Sequence, residues 1–302
     1  MKESGLLIVD KPVGPTSHQI VHVVRKGTGI RKVGHAGTLD PRASGVLVLC
    51  LGAATRLSEY LSACDKAYEA VVRFGVATTT YDSDGEVVSA GGPIPPLEAI
   101  EQALHSFRGR IEQAPPPYSA VKVQGKKAYQ LARRGEPPAL AARPIEIRKL
   151  AVTGYQPPDL SLEIECSAGT YIRTLAHDLG QVLASGGHLR ALRRTSSGHF
   201  RLQEAVPLAE LELTFRSLAA HEAGEPPAWW RYALPATEAL PGMPRLPVDE
   251  ATITLLRNGR GFLSSQICSG MAQALDSDGE LVAILQAAPD GRSWHPHKVF
   301  IS

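Results

Sequence analysis

The chain has 302 residues, 43% of them hydrophobic and 21% charged. It is long enough for about two domains, and its composition excludes a disordered tail, a collagen and a coiled coil. The net charge of +2 hides a segregation: residues 122–149 carry eight basic side chains against Glu136 and Glu146, residues 188–201 carry four arginines and no acid, and residues 81–107 carry five acids and no lysine or arginine.

In chain order, residues 5–10 (GLLIVD) read as a short buried strand. Thr16 and Gln19 fit a capping box, ahead of a helix with Ile20, Val21 and Val24 on its apolar face. The first half of 33–56 is a glycine-punctuated loop, the run 46–51 is an apolar strand, and Leu57, Tyr60 and Leu61 suit a short helix. A strand is expected over 68–74, a turn over 82–85 and a helix over 97–107. Residues 114–138 are bracketed by prolines and read as an inserted arm built on a basic helical stretch. Leu160, Leu162, Ile164 and Cys166 alternate with polar residues, which predicts a half-buried strand, and Ile172, Leu175 and Leu179 mark the helix after it. Six prolines between 226 and 247 resemble a semi-rigid linker, followed by a small β-rich domain at 248–302. Strands and helices mix without a regular βαβ repeat, so the expected class is α+β with a mixed sheet.

Asp40, in the segment GHAGTLDP, is the most suggestive side chain. Asp-Pro starts many type I turns, and on that dipeptide alone the turn is the better reading, a balance that the neighbouring glycines shift a little towards a ligand site. Gly34, Gly37 and Gly45 let backbone approach a ligand, yet the loop is neither a P-loop nor a Rossmann fingerprint. A catalytic carboxylate needs a cation to hold and aim it. Arg173 is a candidate, against the alternative of a surface helix arginine. Tyr68 and Tyr171 are candidate flat faces for a base, or packing residues.

His295 and His297 lack a third ligand at a suitable spacing, and His177 and Asp178 point to different helix faces. These histidines read as solvated or capping, and no metal site is expected. There is no G-x-S-x-G elbow. Cys50, Cys64, Cys166 and Cys268 form no C-x-x-C pair, which fits a reducing cytoplasm. No apolar run approaches 18 residues, so no membrane partner is expected. The two basic segments suggest a polyanion, a nucleic acid or a phosphorylated metabolite.

Six blocks in order then carry a resemblance: LLIVDKPVGPTSH (6–18), GHAGTLDPRASGVLVLCLGAATR (34–56), DKAYEA (65–70), PPYSAVKVQGKKAYQLARRG (116–135), SAGTYIRTLAHDLG (167–180) and HLRALRRTSSGHF (188–200). Together they resemble the bacterial tRNA pseudouridine-55 synthase family, covering most of 1–205. Ala36 and Ser44 depart from it, each standing where the family usually has threonine, and PPAWWRY within 212–232 matches no family block.

The resemblance implies a pseudouridine synthase catalytic domain over 1–240, with an RNA-gripping arm at about 114–142, and a small PUA-like RNA-binding domain over 245–302. It implies isomerisation of uridine 55 in the tRNA T-loop to pseudouridine by a flipped base, with no cofactor and no metal, in a cytoplasmic monomer whose partner is the tRNA T-arm. By the same resemblance Asp40 is the nucleophile, Tyr68 stacks on the flipped uracil and Arg173 pairs with the aspartate. His35, Tyr171 and Leu192 line the nucleotide pocket, and Lys11 lies near it. Lys122, Lys126, Lys127, Arg133 and Arg134 are the arm's RNA-facing charges. The rival readings are an RNA-folding chaperone of the same fold and a phosphometabolite enzyme. The intact Asp40, Tyr68 and Arg173 favour the isomerase.

Overall fold

The computed structural model describes residues 4–123, 125–136, 138–216, 226–265 and 267–301, without the side chain of Lys127. The chain divides into two compact units. Unit 1 comprises residues 1–40, 47–62 and 204–302, and unit 2 comprises residues 41–46 and 63–203.

The chain begins with β1 (Gly5–Lys11), α1 (Ser17–Thr28), β2 (Val33–Ala36) and β3 (Ala43–Leu51). β1 is buried on both faces, which explains its unbroken apolar run. α1 starts at the expected capping box: Gln19 N–H donates to Thr16 Oγ1 at 3.1 Å, and Thr16 N–H donates to Gln19 Oε1 at 2.7 Å. Half of the expected loop after α1 is therefore strand, because β2 pairs antiparallel with β3 from Val33–Leu51 to Ala36–Val48. A short 3-10 turn leads into α2 (Ser58–Ser62).

Unit 2 continues with β4 (Lys66–Phe74), a small hairpin of β5 (Val76–Thr78) and β6 (Val87–Ala90), α3 (Leu97–Leu104) and β7 (Gly109–Gln113). The arm follows as a hairpin, β8 (Lys122–Val123) and β9 (Lys126–Lys127), and a five-residue α4 (Ala128–Ala132). The expected basic helix is thus one turn long, because the chain reverses at Gly125, whose φ of 82° no helix accepts. Then come β10 (Arg143–Gln156), β11 (Asp159–Cys166), α5 (Ile172–Val182), β12 (Gly187–Ser197) and β13 (Phe200–Arg201). β12, β4, β11, β10 and β7 pair antiparallel in that order, while β12 runs parallel to the first residues of β3, so the sheet is mixed. The alternating apolar faces of β4 and β11 meet α3 and α5 in one core around Phe74, Leu104, Leu162, Ile164, Leu175 and Leu179.

Unit 1 resumes with β14 (Val206–Pro207), α6 (Leu208–Arg216) and β15 (Ala233–Leu234). The proline-rich stretch is not a linker. β15 pairs with β1, Leu6 opposite Leu234, and Trp229 is buried in the 3-10 turn just before it. Leu234 comes so close that a Cβ on Gly5 would sit 2.7 Å from its carbonyl oxygen. Packed apolar side chains, not proline stiffness, decide the conformation there. Residues 217–225, within the segment 212–232 that the sequence reading leaves without a family block, lie outside the described residues.

The last part of unit 1 is β-rich: β16 (Arg245–Pro247), α7 (Glu250–Arg257), β17 (Phe262–Leu263), β18 (Met271–Leu275), β19 (Leu281–Ala287) and β20 (Ser293–Val299). Its strands lie in the order β16-β18-β19-β20-β17 over a core of Ile253, Leu256, Leu285 and Trp294. Lys298 of β20 pairs with Glu59 of α2 and lies over the Tyr60 ring. The architecture is the expected α+β class with a C-terminal β-rich domain. No described helix is long and apolar enough to cross a membrane.

Gly45 gives a direct test of the β3–β12 pairing. Its φ is +101°, and a Cβ would lie 2.2 Å from the Arg194 carbonyl oxygen. Left-handed strain and backbone overlap together predict that Gly45→Ala costs about 2–5 kcal/mol, read as a lowered urea midpoint with the native m-value.

Candidate active site

Unit 1 carries Lys11, His35 and Asp40. Asp40 is half-buried at the end of the loop after β2. Its neighbour Leu39 is fixed from both sides by one hydroxyl: Ser17 Oγ donates to the Leu39 carbonyl at 3.0 Å and accepts from the Leu39 N–H at 2.9 Å. Ser17 is 2% exposed, so this clamp is shielded from water. Ser17 was not among the expected site residues. The capping box that places it in the first turn of α1 was the only signal.

Lys11 is fully buried, and its ammonium donates to the carbonyls of Pro12 and Pro15, each at 2.9 Å. It ties down the proline loop ahead of α1. His35 lies on β2 opposite Leu49, and its ring meets His18 edge-on at 5.3 Å.

Unit 2 carries Tyr68, Tyr171, Arg173 and Leu192. Tyr68 is 8% exposed on β4, opposite Ile164 on one side and Arg194 on the other. Leu192, half-buried, stands two residues before Arg194, opposite Ala70 and Ala43. Arg194 is 1% exposed and donates from Nε to the Val46 carbonyl at 2.7 Å. Lys66, also buried, donates to the Cys64 carbonyl. Burial, with Arg194 close by, holds its ammonium below the usual lysine range.

Arg173 is the second residue of α5 and only 7% exposed, so it is not a surface helix arginine. Its guanidinium donates to the Thr80 carbonyl at 3.3 Å and the Tyr118 carbonyl at 3.1 Å, and stands 3.7 Å from Asp82 Oδ2. The start of α5 is fastened to the root of the arm. Tyr171 N–H donates to Gln113 Oε1 at 2.8 Å, Gln113 Nε2 donates to the Tyr171 carbonyl at 3.1 Å, and Thr174 donates to the Ala114 carbonyl at 3.2 Å. Sequence reasoning placed Asp82 only in a turn and gave no signal for Gln113. Arg42, two residues after Asp40, pairs with Asp84 at 2.5 Å.

On the arm, Lys122, Lys126, Arg133 and Arg134 are exposed, and Lys126, Tyr129, Arg133 and Arg134 line a shallow depression. The Arg133 guanidinium lies 5.6 Å from the centre of the Tyr129 ring.

His177 is neither solvated nor a cap. Its ring stacks on Tyr81 at 3.8 Å and 7° between planes, and burial holds its pKa down. Among the described residues, no group of three histidine, cysteine or acidic side chains is arranged to hold a metal ion. None of the four cysteines is in a disulfide, and burial pushes the Cys50 thiol to about 12 and the Cys166 thiol to about 11. Neither supplies a thiolate nucleophile at neutral pH. Unit 1 by itself carries a half-buried carboxylate next to a clamped backbone, and unit 2 by itself carries the buried side chains of Arg173, Arg194 and Tyr68.

Residues 25–172 match the model of the TruB family pseudouridylate synthase N-terminal domain, and residues 173–240 match that of the tRNA pseudouridylate synthase B C-terminal domain. The chain is 41% identical over 290 residues to tRNA pseudouridine synthase B of Pseudomonas aeruginosa (strain UCBPP-PA14), a likeness covering 96% of this chain and 93% of that protein. It is 42% identical over 285 residues to the protein of that name from Solibacter usitatus (strain Ellin6076), covering 93% and 94%. Among solved structures it is similar to a chain of a Cbf5-Nop10-Gar1 complex, with a TM-score of 0.73, 27% identity and coverage of 98% of this chain and 85% of that one. It is similar too to a chain of an H/ACA RNP bound to a substrate RNA containing 2′-deoxyuridine, with a TM-score of 0.72, 25% identity and coverage of 99% and 85%.

The Gln113 clamp is testable on its own. Gln113→Leu keeps the volume and removes both hydrogen bonds to the half-buried Tyr171 backbone. It is expected to cost about 1–3 kcal/mol, measured by urea unfolding. Unchanged stability would mean that the clamp does not hold α5.

Proposed function

Because the chain belongs to the TruB family of pseudouridylate synthases, and is an enzyme that isomerises uridine in tRNA to pseudouridine, we propose that its target is uridine 55 in the T-loop and that Asp40 carries the reaction. The likeness to tRNA pseudouridine synthase B over 96% of this chain is the observation that carries this reading.

A uridine inside a folded loop has to leave its stack before its glycosidic bond can be reached. In our reading the flipped uracil lies on Tyr68, with Leu192 and Tyr171 beside it, and His35 fills the vacated stack. The burial of Tyr68 supports this, since a ring already held by a sheet loses little entropy on stacking. Lys11 contributes by keeping the proline loop rigid, a role supported by its two carbonyl contacts.

Asp40 attacks C1′ as N1 departs with the bonding electrons. The released uracil turns, its C5 attacks C1′, and the carboxylate is regenerated as the C1′–C5 bond forms. The proton on C5 then passes to a base, for which the Tyr68 hydroxyl is the assigned carrier. A glycal route would use the same carboxylate to remove the C2′ proton, so both routes need Asp40 ionised. Arg173 is assigned to pair with it and hold that charge in place. The reading is supported by the Ser17 clamp, which removes backbone freedom next to the carboxylate and leaves less motion to be frozen in the transition state.

The arm is assigned to grip the phosphates of the T-arm through Lys122, Lys126, Lys127, Arg133 and Arg134, the side chain of Lys127 lying outside the described residues. The β-rich domain over 245–302 is assigned as a second, PUA-like RNA-binding surface, and the enzyme is assigned as a monomer.

Two experiments test this. Asp40→Asn keeps the size of the side chain and removes its charge. It should abolish pseudouridine formation on unmodified tRNA while binding persists, because most binding energy comes from phosphate contacts elsewhere. Turnover near wild type would sink the assignment, and wild-type protein that binds tRNA without forming product would favour the chaperone reading. Replacing Lys126, Lys127, Arg133 and Arg134 with alanine should weaken tRNA binding and flatten the slope of log K against log salt by about 0.7–0.9 for each phosphate left unneutralised. An unchanged slope would mean that the arm is an ordinary solvated surface.

A further inference from the structure

Tyr81 stands out in unit 2 as a bulky residue with φ of +64°, a conformation in which glycine is nearly free of strain and an aromatic residue is an outlier. It sits in the turn between β5 and β6. Its N–H donates to the Thr78 carbonyl at 3.3 Å, and its own carbonyl accepts from the Leu189 N–H at 2.9 Å. Its ring lies flat on His177, one helical turn after Arg173 on the same face of α5. His177 Nδ1 is buried with no hydrogen-bond partner among the described residues, so the ring is held by stacking. Burial lowers the imidazole pKa, and burial with Asp178 close by raises that of the phenol, so both shifts favour the uncharged rings.

The residues on either side of Tyr81 are those that hold Arg173. The Thr80 carbonyl accepts from the guanidinium, and Asp82 Oδ2 faces it at 3.7 Å. Asp82 Oδ1 is occupied by the Thr80 hydroxyl at 2.5 Å and the Asp84 N–H at 3.0 Å, which leaves Oδ2 to face the arginine. The turn is thus set at both ends of one helix turn, by Arg173 through polar contacts and by His177 through the stack.

We propose that Tyr81 and His177 are positioning residues for the isomerisation: their stack holds the strained turn that presents the Thr80 carbonyl and the Asp82 carboxylate to Arg173. This rests on the reading that Arg173 serves the reaction. The strain is retained because relaxing it would swing the two acceptors away from the guanidinium.

The test compares His177→Ala and Tyr81→Gly with the ring-preserving His177→Phe and Tyr81→Phe in the full-length protein. Single-turnover pseudouridine formation on unmodified tRNA, tRNA Kd and melting temperature are measured for each. The phenylalanine variants should stay within about threefold of wild type, while the ring-deleting variants should fall by about 10- to 100-fold in rate with Kd nearly unchanged. Tyr81→Gly is the sharper probe, because it relieves the strain: it should melt no lower than wild type and still be slow. Wild-type rates in His177→Ala and Tyr81→Gly would overturn the proposal, as would slow phenylalanine variants or losses that track Kd or melting temperature. A wild-type protein that forms no pseudouridine would instead be a failure of the functional reading, and the inference would fall with it.

Discussion

A guanidinium buried at the start of α5 has to be satisfied by what surrounds it, since an uncompensated buried charge costs several kcal/mol. Arg173 meets that demand with two backbone carbonyls and one carboxylate drawn from separate segments: Thr80 and Asp82 from the β5–β6 turn, and Tyr118 from the root of the arm. A helix end, a strained turn and the base of an insertion are thereby tied to one side chain. The Gln113 and Thr174 contacts tighten the same junction. The two carbonyls fix the plane of the guanidinium, and Asp82 Oδ2 faces it at 3.7 Å. A cation held from several segments at once is rigid.

Unit 1 uses one neutral and one charged group for the corresponding task. Ser17 takes both hydrogen-bonding groups of Leu39, and Lys11 directs its charge at the carbonyls of Pro12 and Pro15. In each unit the backbone around a candidate side chain is fixed by hydrogen bonds to main-chain groups.

Much of this was legible in the sequence because it is local. The capping box at Thr16 and Gln19, the alternation over 160–166 and the amphipathic face after Ile172 each depend on near neighbours, and each appears as expected. What was not legible depends on partners far along the chain. Val33–Ala36 are strand because β3 lies beside them, and Trp229 is packed in the proline-rich stretch whose β15 lies beside β1. Gln113 and Ser17 look like any surface polar residue until the backbone each one bonds is known. The arm's basic helix shrank to five residues because lysine and alanine propensity is weaker than a glycine-driven reversal.

The pairing of β1 with β14 and β15 also bears on how the chain is made. β1 leaves the ribosome well ahead of its partners Val206 and Leu234, which follow about two hundred residues later, and at usual synthesis rates that is a wait of about 10–40 s. Nearly all of unit 2, by contrast, is one uninterrupted stretch from 63 to 203 and can close its own core as it emerges. Throughout that interval an apolar strand destined for burial on both faces stays without β14 and β15, as a sticky edge. Slow translation before 234 lengthens that exposure.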